Sequence, residues 1–171
     1  MALLFVVGLI VSGVAFTSHR RASEASQLRR QATVLQDYSL QVVAPRNVDE
    51  IARITSQALA SLFRVPAVVI LIVEGKVASV KRTGAAEPDE AELEAARSSL
   101  TTGTVLRSGI YPYTASRFDF WPVQTAEGQS AVIGLAFDPD ERPSEPDTHV
   151  GVVASLLALV LDRQHGRRAA G

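Results

Sequence analysis

The chain has 171 residues, no cysteine and a formal net charge of −1, with 47% hydrophobic and 20% charged residues. That is enough apolar material for one packed domain and an appendage, and too little length for two ordinary domains. Lack of cysteine excludes disulfide scaffolding, thiolate zinc sites, cysteine nucleophiles and thioether-linked chromophores. The near-neutral balance gives no basic face for nucleic acid.

The first segment, residues 1–19, opens with the uncharged run MALLFVVGLIVSGVAF and reaches His19, with Arg20, Arg21, Arg29 and Arg30 following. A membrane-spanning helix needs about 20 apolar residues, so the run is slightly short. A signal peptide would carry Lys or Arg ahead of the apolar part, and a core helix would not be apolar all round. The expectation is therefore a membrane segment whose Arg-rich flank marks the cytoplasmic side. The location this predicts is a bacterial inner membrane with the rest of the chain in the cytoplasm. An exported protein with a cleaved leader is the alternative.

Residues 20–45 form a polar stem. Leu28, Leu35 and Val42 fall seven apart, with Tyr38 at an intervening d-like position and Gln31 spoiling the other. Either two copies join here as a short coiled coil, or one amphipathic helix lies on its own domain. Pro45 ends the stem.

Residues 46–165 read as a globular domain and 166–171 as a tail. Asn47 and Glu50 have the spacing of a capping box. Ile51, Ile54, Ala58, Leu62 and Phe63 then recur at helical spacing up to Pro66. Ala67–Val73 (AVVILIV) predicts a strand covered on both faces. Glu74-Gly75 turns the chain into a less apolar edge strand, Lys76–Arg82. A helix is expected from about Asp89 to Leu100, started by Pro88, and 101–116 reads as a loop. In RFDFWPVQTAEGQSAVIGLAFD, Phe118 and Phe120 alternate with Asp119 and Trp121. After a turn at Ala126–Gly128, Ala131, Ile133, Leu135 and Phe137 share one face. Ser130, Val132, Gly134 and Ala136 share the other, small enough for a helix to pack closely. Pro122 predicts an edge or bulged strand. Ser144 and Asp147 resemble a second capping box opening a last helix, from about Glu145 to Gln164. That helix is expected to bury Val153, Leu156, Leu157 and Val160, with Gly151, Ser155 and Ala158 as a smaller-residue strip.

Paired hairpins with helices at both ends imply an α+β fold, an antiparallel sheet flanked by helices. The order of pieces resembles the GAF domain of KdpD-type potassium-responsive sensor histidine kinases. The pieces are the apolar segment with its Arg-rich stem, helix 47–63 running into PAVVILIVEGKV, the DEAELEAA helix, and the FDFWPVQT–AVIGLAFD hairpin. The resemblance implies a membrane-tethered sensory or relay module, homodimeric through its terminal helices. It would serve a histidine kinase core in the same or another chain. That core is not in this sequence: His19, His149 and His165 lack the phosphoacceptor pattern, and no Gly-rich ATP lid follows. The chain itself is expected not to be an enzyme, and to carry no cofactor and no metal.

Two sets of residues stand as candidate sites, beside an acidic set that does not. Asp89, Glu90, Glu92 and Glu94 read as a solvated acidic helix face. In GAF domains small molecules sit between the sheet and the variable segment before the later strands. The resemblance thus marks Arg107, Tyr111, Tyr113 and Arg117, with Arg82 and Trp121 nearby, as a possible nucleotide or anion site. Aromatic faces and guanidinium groups suit such ligands. A stand-alone small-molecule-binding domain is accordingly the alternative function. The structural reading of these residues is a Tyr pair closing the core edge and solvated Arg. The second set, Arg20, Arg21, Arg29 and Arg30, is either a topology signal or a sensor of anionic headgroups, at about 1 kcal/mol per residue. On the sensor reading, replacing all four by Gln weakens binding to anionic vesicles and flattens its salt dependence. Unchanged vesicle binding removes that reading.

Overall fold

The computed structural model describes residues 25–45, 47–126 and 129–169. Residues 1–19, Arg20 and Arg21 lie outside these, as do Glu127 and Gly128 of the predicted hairpin turn. Among the described residues no helix is long and apolar enough to cross a membrane. Packing divides the chain into two units, Met1–Val34 and Leu35–Gly171. In the first, residues 25–34 are helical, with Leu28, Arg29 and Arg30 exposed and Thr33 Oγ1 donating to the Arg29 carbonyl at 3.0 Å.

The second unit is a sheet between two helical layers. Helix α1 spans 25–42, and the elements after it are α2 (Val48–Phe63), β1 (Ala67–Val73), β2 (Lys76–Thr83), α3 (Glu90–Thr102), β3 (Asp119–Val123), β4 (Gln129–Leu135) and α4 (Pro146–Ala169). The sheet is antiparallel throughout, in the order β2-β1-β4-β3. The alternation of β1 explains its unbroken apolar sequence. Ala67, Val69 and Leu71 face one core with the 35–42 part of α1, α2 and α4, while Val68, Ile70 and Ile72 face a second core with α3. A strand covered on both faces has no position where a polar side chain reaches water.

Leu35, Tyr38 and Val42, three of the four positions of the predicted coiled-coil seam, pack into the first of these cores. They serve their own domain, as the amphipathic reading of the stem expects. Tyr38 is buried, and its hydroxyl lies 3.0 Å from Thr55 Oγ1. Thr55 donates its own proton to the Ile51 carbonyl, so Tyr38 is the donor to Thr55. Burial pushes the Tyr38 phenol up to about 12.

Several local expectations are corrected. Asn47 caps α2 by accepting from Asp49 N, but the Glu50 carboxylate turns to Arg53 rather than back to the cap. The capping box instead opens α3, where Asp89 and Glu92 satisfy each other's backbone N–H. Asp147 closes no box on α4; its carboxylate leaves the helix for Arg107 and Trp121. Helix α4 also runs through the predicted tail to Ala169, and Gly151 and Ser155 of its small-residue strip are exposed. Both residues of the β1–β2 turn have positive φ, 50° at Glu74 and 75° at Gly75. Such a turn matches the twist of the strands it joins.

The space beside Gly134 is not taken by a helix, as its small neighbours implied, but by flanking strands. A Cβ there would stand 2.6 Å from Val68 Cγ2 and 2.9 Å from Phe120 Cε1. Neither a buried β-branched side chain nor a packed ring gives way easily. Gly134→Ala is expected to lower stability by about 1–3 kcal/mol, read as a reduced urea midpoint. An unchanged midpoint would mean that the Phe120 ring has room to swing aside.

Candidate functional site

The functional geometry gathers where the α3–β3 loop meets the outer edge of β3. Leu106 and Phe120 exchange both backbone hydrogen bonds, at 2.9 and 2.8 Å, in an isolated antiparallel bridge. That bridge sets Arg107 opposite Asp119. Asp119 is fully buried, and its carboxylate accepts from Ser108 N at 2.7 Å, Arg107 Nη1 at 3.2 Å and Arg142 Nη2. A buried carboxylate needs this density of donors, because a lone ion away from water is costly.

Arg107 extends the network. Its Nη2 donates to both oxygens of Asp147, at 2.7 and 2.6 Å, and its guanidinium sits 5.0 Å from the Trp121 ring centre. Trp121 Nε1–H donates to the same Asp147 at 2.6 Å. Asp147 lies in the first turn of α4, where the helix dipole also favours a negative charge. Burial works to raise its pKa, but the Trp121 and Arg107 hydrogen bonds outweigh it and hold the carboxyl below its ordinary value. The sheet edge, the loop and the last helix therefore share one charged junction.

A second buried carboxylate ties down the other end of the loop. Glu92 is 2% exposed; it accepts from Arg117 N at 2.9 Å, Arg117 Nε at 3.1 Å and Arg117 Nη2 at 2.8 Å, besides capping Asp89 N. Burial opposes ionisation of Glu92 too, and the Arg117 and Asp89 hydrogen bonds reverse it to a net lowering. The acidic-face reading of α3 thus holds for Glu90 and Glu94, which pair with Arg97 at the surface, and fails for Glu92.

The six residues marked from the resemblance do not form one pocket. Arg107 and Trp121 meet at the junction. Arg117 belongs to the α3 side with Glu92, and Arg82 stands 3.8 Å from Glu87 beside β2. Tyr113 packs against the second core, as a residue closing the core edge would, but Tyr111 is 87% exposed. Each of the three Arg side chains has an acidic partner; Arg82 and Arg117 are also exposed, and Arg107 is the one largely withdrawn from water. Asp119 and Arg142 escaped the sequence reading as site residues, and Asp147 and Glu92 were read there as a helix cap and part of an acidic face. For Asp119 a signal existed: a carboxylate between two Phe in FDFW, in a strand next to the core, requires a buried cationic partner. Nothing local points to Arg142 or Asp147, whose partners are 23 and 26–40 residues away.

No protein-family model matches the sequence, and no curated protein matches it. Solved structures do. The GAF domain of the potassium sensor histidine kinase KdpD from Escherichia coli is similar at a TM-score of 0.66 and 20% identity, covering 81% of this chain and 98% of that one. Residues 122–287 of a methyl-accepting chemotaxis protein give 0.61 at 13% identity, covering 77% and 99%. The GAF domain of a putative sensor histidine kinase from Pseudomonas syringae pv. tomato gives 0.51 at 15%, covering 90% and 97%. The fold is that of GAF domains.

The junction has a built-in reporter, because Trp121 is the chain's one tryptophan. A carboxyl with a depressed folded-state pKa stabilises the fold above its unfolded value and loses that contribution as pH falls through the folded one. Here the window opens below about pH 4, the ordinary carboxylate range. Trp121 emission is expected to shift on acidification through that window. In Asp147→Ala the neutral spectrum should already match the acid spectrum of the wild type. A wild-type emission that follows only global unfolding would show that the Asp147 contact carries no separate weight.

Proposed function

We propose that this chain is a non-catalytic sensory relay module, of the kind that serves potassium-responsive sensor histidine kinases. It would be tethered to the membrane through residues 1–19 and paired with a second copy through its terminal helices. Its kinase core would lie in a longer chain or a partner. The observation that carries this reading is the arrangement at the two ends of the Leu35–Gly171 unit. The 35–42 segment and α4 lie in one layer over the same core, and Gln164 Nε2 donates to the Pro45 carbonyl at 2.8 Å. A signal entering from the N-terminal side thus meets the helix that leaves toward any C-terminal output. Helices packed in one layer can hold alternative arrangements that differ by small shifts, which is what a relay needs.

The likeness to the KdpD GAF domain supports the choice of pathway class, and the apolar run with its Arg flank supports the tether. Pairing is supported by the outward face of α4, where Val152 is 45% and Leu159 67% exposed, and by Leu40 on α1 at 69%. Apolar side chains at helical spacing on one face are costly to leave in water.

The cysteine-free sequence makes pairing testable by crosslinking. In the full chain held in membranes, Leu159→Cys is expected to form a disulfide-linked dimer under mild oxidation. Ala78→Cys, on the exposed edge strand β2, is expected to remain a monomer. Equal crosslinking at both positions, or none at Leu159→Cys or Val152→Cys, would remove the paired-helix relay.

A further inference from the structure

A cavity of about 460 Å³ opens between the two clamped ends of the α3–β3 loop and the chain that leaves β4. Its size falls in the range of small-molecule sites, roughly 300–1,000 Å³. Arg117 and Arg142 line it from opposite anchors, with the hydroxyls of Ser108 and Thr114 and the apolar surfaces of Phe137 and Pro139. Its lining includes no carboxylate: Asp119 and Glu92, which bind the two guanidiniums, are not among the lining residues. Among the described residues, Arg142 donates only through Nη2, and the Arg117 side chain only through Nε and Nη2. Arg142 Nε and Nη1 and Arg117 Nη1 therefore remain as donors. The Arg142 guanidinium lies 5.8 Å from the Phe137 ring centre, so charge and apolar surface adjoin.

We propose that this cavity is a site for a small organic anion with a carboxylate head and an apolar body. The planar guanidinium fork suits a carboxylate, and Ser108 and Thr114 supply further hydroxyl donors. Phe137 and Pro139 take the body. The site also has a route to the last helix. Asp119 is shared between Arg142 on the cavity wall and Arg107, and Arg107 holds Asp147 in the first turn of α4. An anion that draws on Arg142 leaves Asp119 more fully to Arg107, which changes the hold on Asp147. The site stands on its own chemistry; only its meaning as a signal rests on the relay proposed above.

Benzoate, benzyl alcohol and inorganic phosphate, titrated into the folded chain and followed by amide NMR, provide the test. Benzoate is expected to give saturable shifts at Ser108, Gly109 and Phe137, and at Thr148 and His149 in α4. Benzyl alcohol lacks the charge and phosphate lacks the body, so both are expected to bind more weakly. Arg142→Gln should weaken benzoate by roughly tenfold or more, the worth of a charge-assisted hydrogen bond. Thr114→Trp, at an exposed position, should fill the cavity without disturbing the buried network and abolish the shifts. Absence of saturable shifts, equal binding of benzyl alcohol, phosphate binding as tightly as benzoate, or benzoate binding undiminished in both variants would each overturn the site. Cavity shifts without any response in α4 would overturn the route to that helix and leave the anion site standing. The relay itself is tested separately, by the crosslinking result.

Discussion

The carboxylate of Asp119 is the constraint on which this domain turns. It sits in a strand at the edge of the sheet with no access to water. A charge so placed must be surrounded by donors, and removing one partner of such a group is far more damaging than the net value of the pair. Its donors come from two different connections, Arg107 and Ser108 from the segment after α3 and Arg142 from the segment after β4. One buried charge thereby fixes the course of two loops that have few apolar residues of their own to hold them.

Glu92 repeats the device at the other end of the same loop. The α3–β3 connection is held by Arg107 at its start and by Arg117 at its finish, each on a buried acid. Between the clamps Tyr113 packs against the second core, while Ile110 and Tyr111 are exposed. The arrangement leaves room under the loop while keeping its ends rigid. In the sheet proper, by contrast, Phe118 and Phe120 fill the space against α3. The open volume is therefore displaced from the middle of the sheet toward its end.

The parts of this architecture visible in the sequence are those whose causes are local. The unbroken run of β1, the helical stripe from Ile51 to Phe63, the edge position of Pro122 and the alternation of Ala131 to Phe137 follow from periodicity and backbone chemistry. Each of these appears in the fold. The division of labour among charged residues was not visible, because it depends on separations of 12 to 40 residues that no periodicity marks. Asp147 shows the limit well: its spacing from Ser144 fits a helix cap, and only the folded neighbourhood of Trp121 and Arg107 offers it better partners. Gly134 was read correctly as a place of close approach and incorrectly as to what approaches. Sequence spacing shows that room is needed without showing which side chain fills it.

The two rims of the sheet carry a consequence for how such domains meet one another. On the outer side of β2, Lys76 and Arg82 are exposed and Lys81 pairs with Asp49. On β3, Pro122 has no N–H to offer and the bridge to Leu106 already occupies Phe120. Charged side chains, a proline and a covering bridge each discourage a foreign strand from joining a sheet. Growth of this sheet by strand addition, the usual route from an open edge to a fibre, is obstructed on both sides. Any contact between copies would thereby be directed away from the backbone and toward side chains on the helical layers.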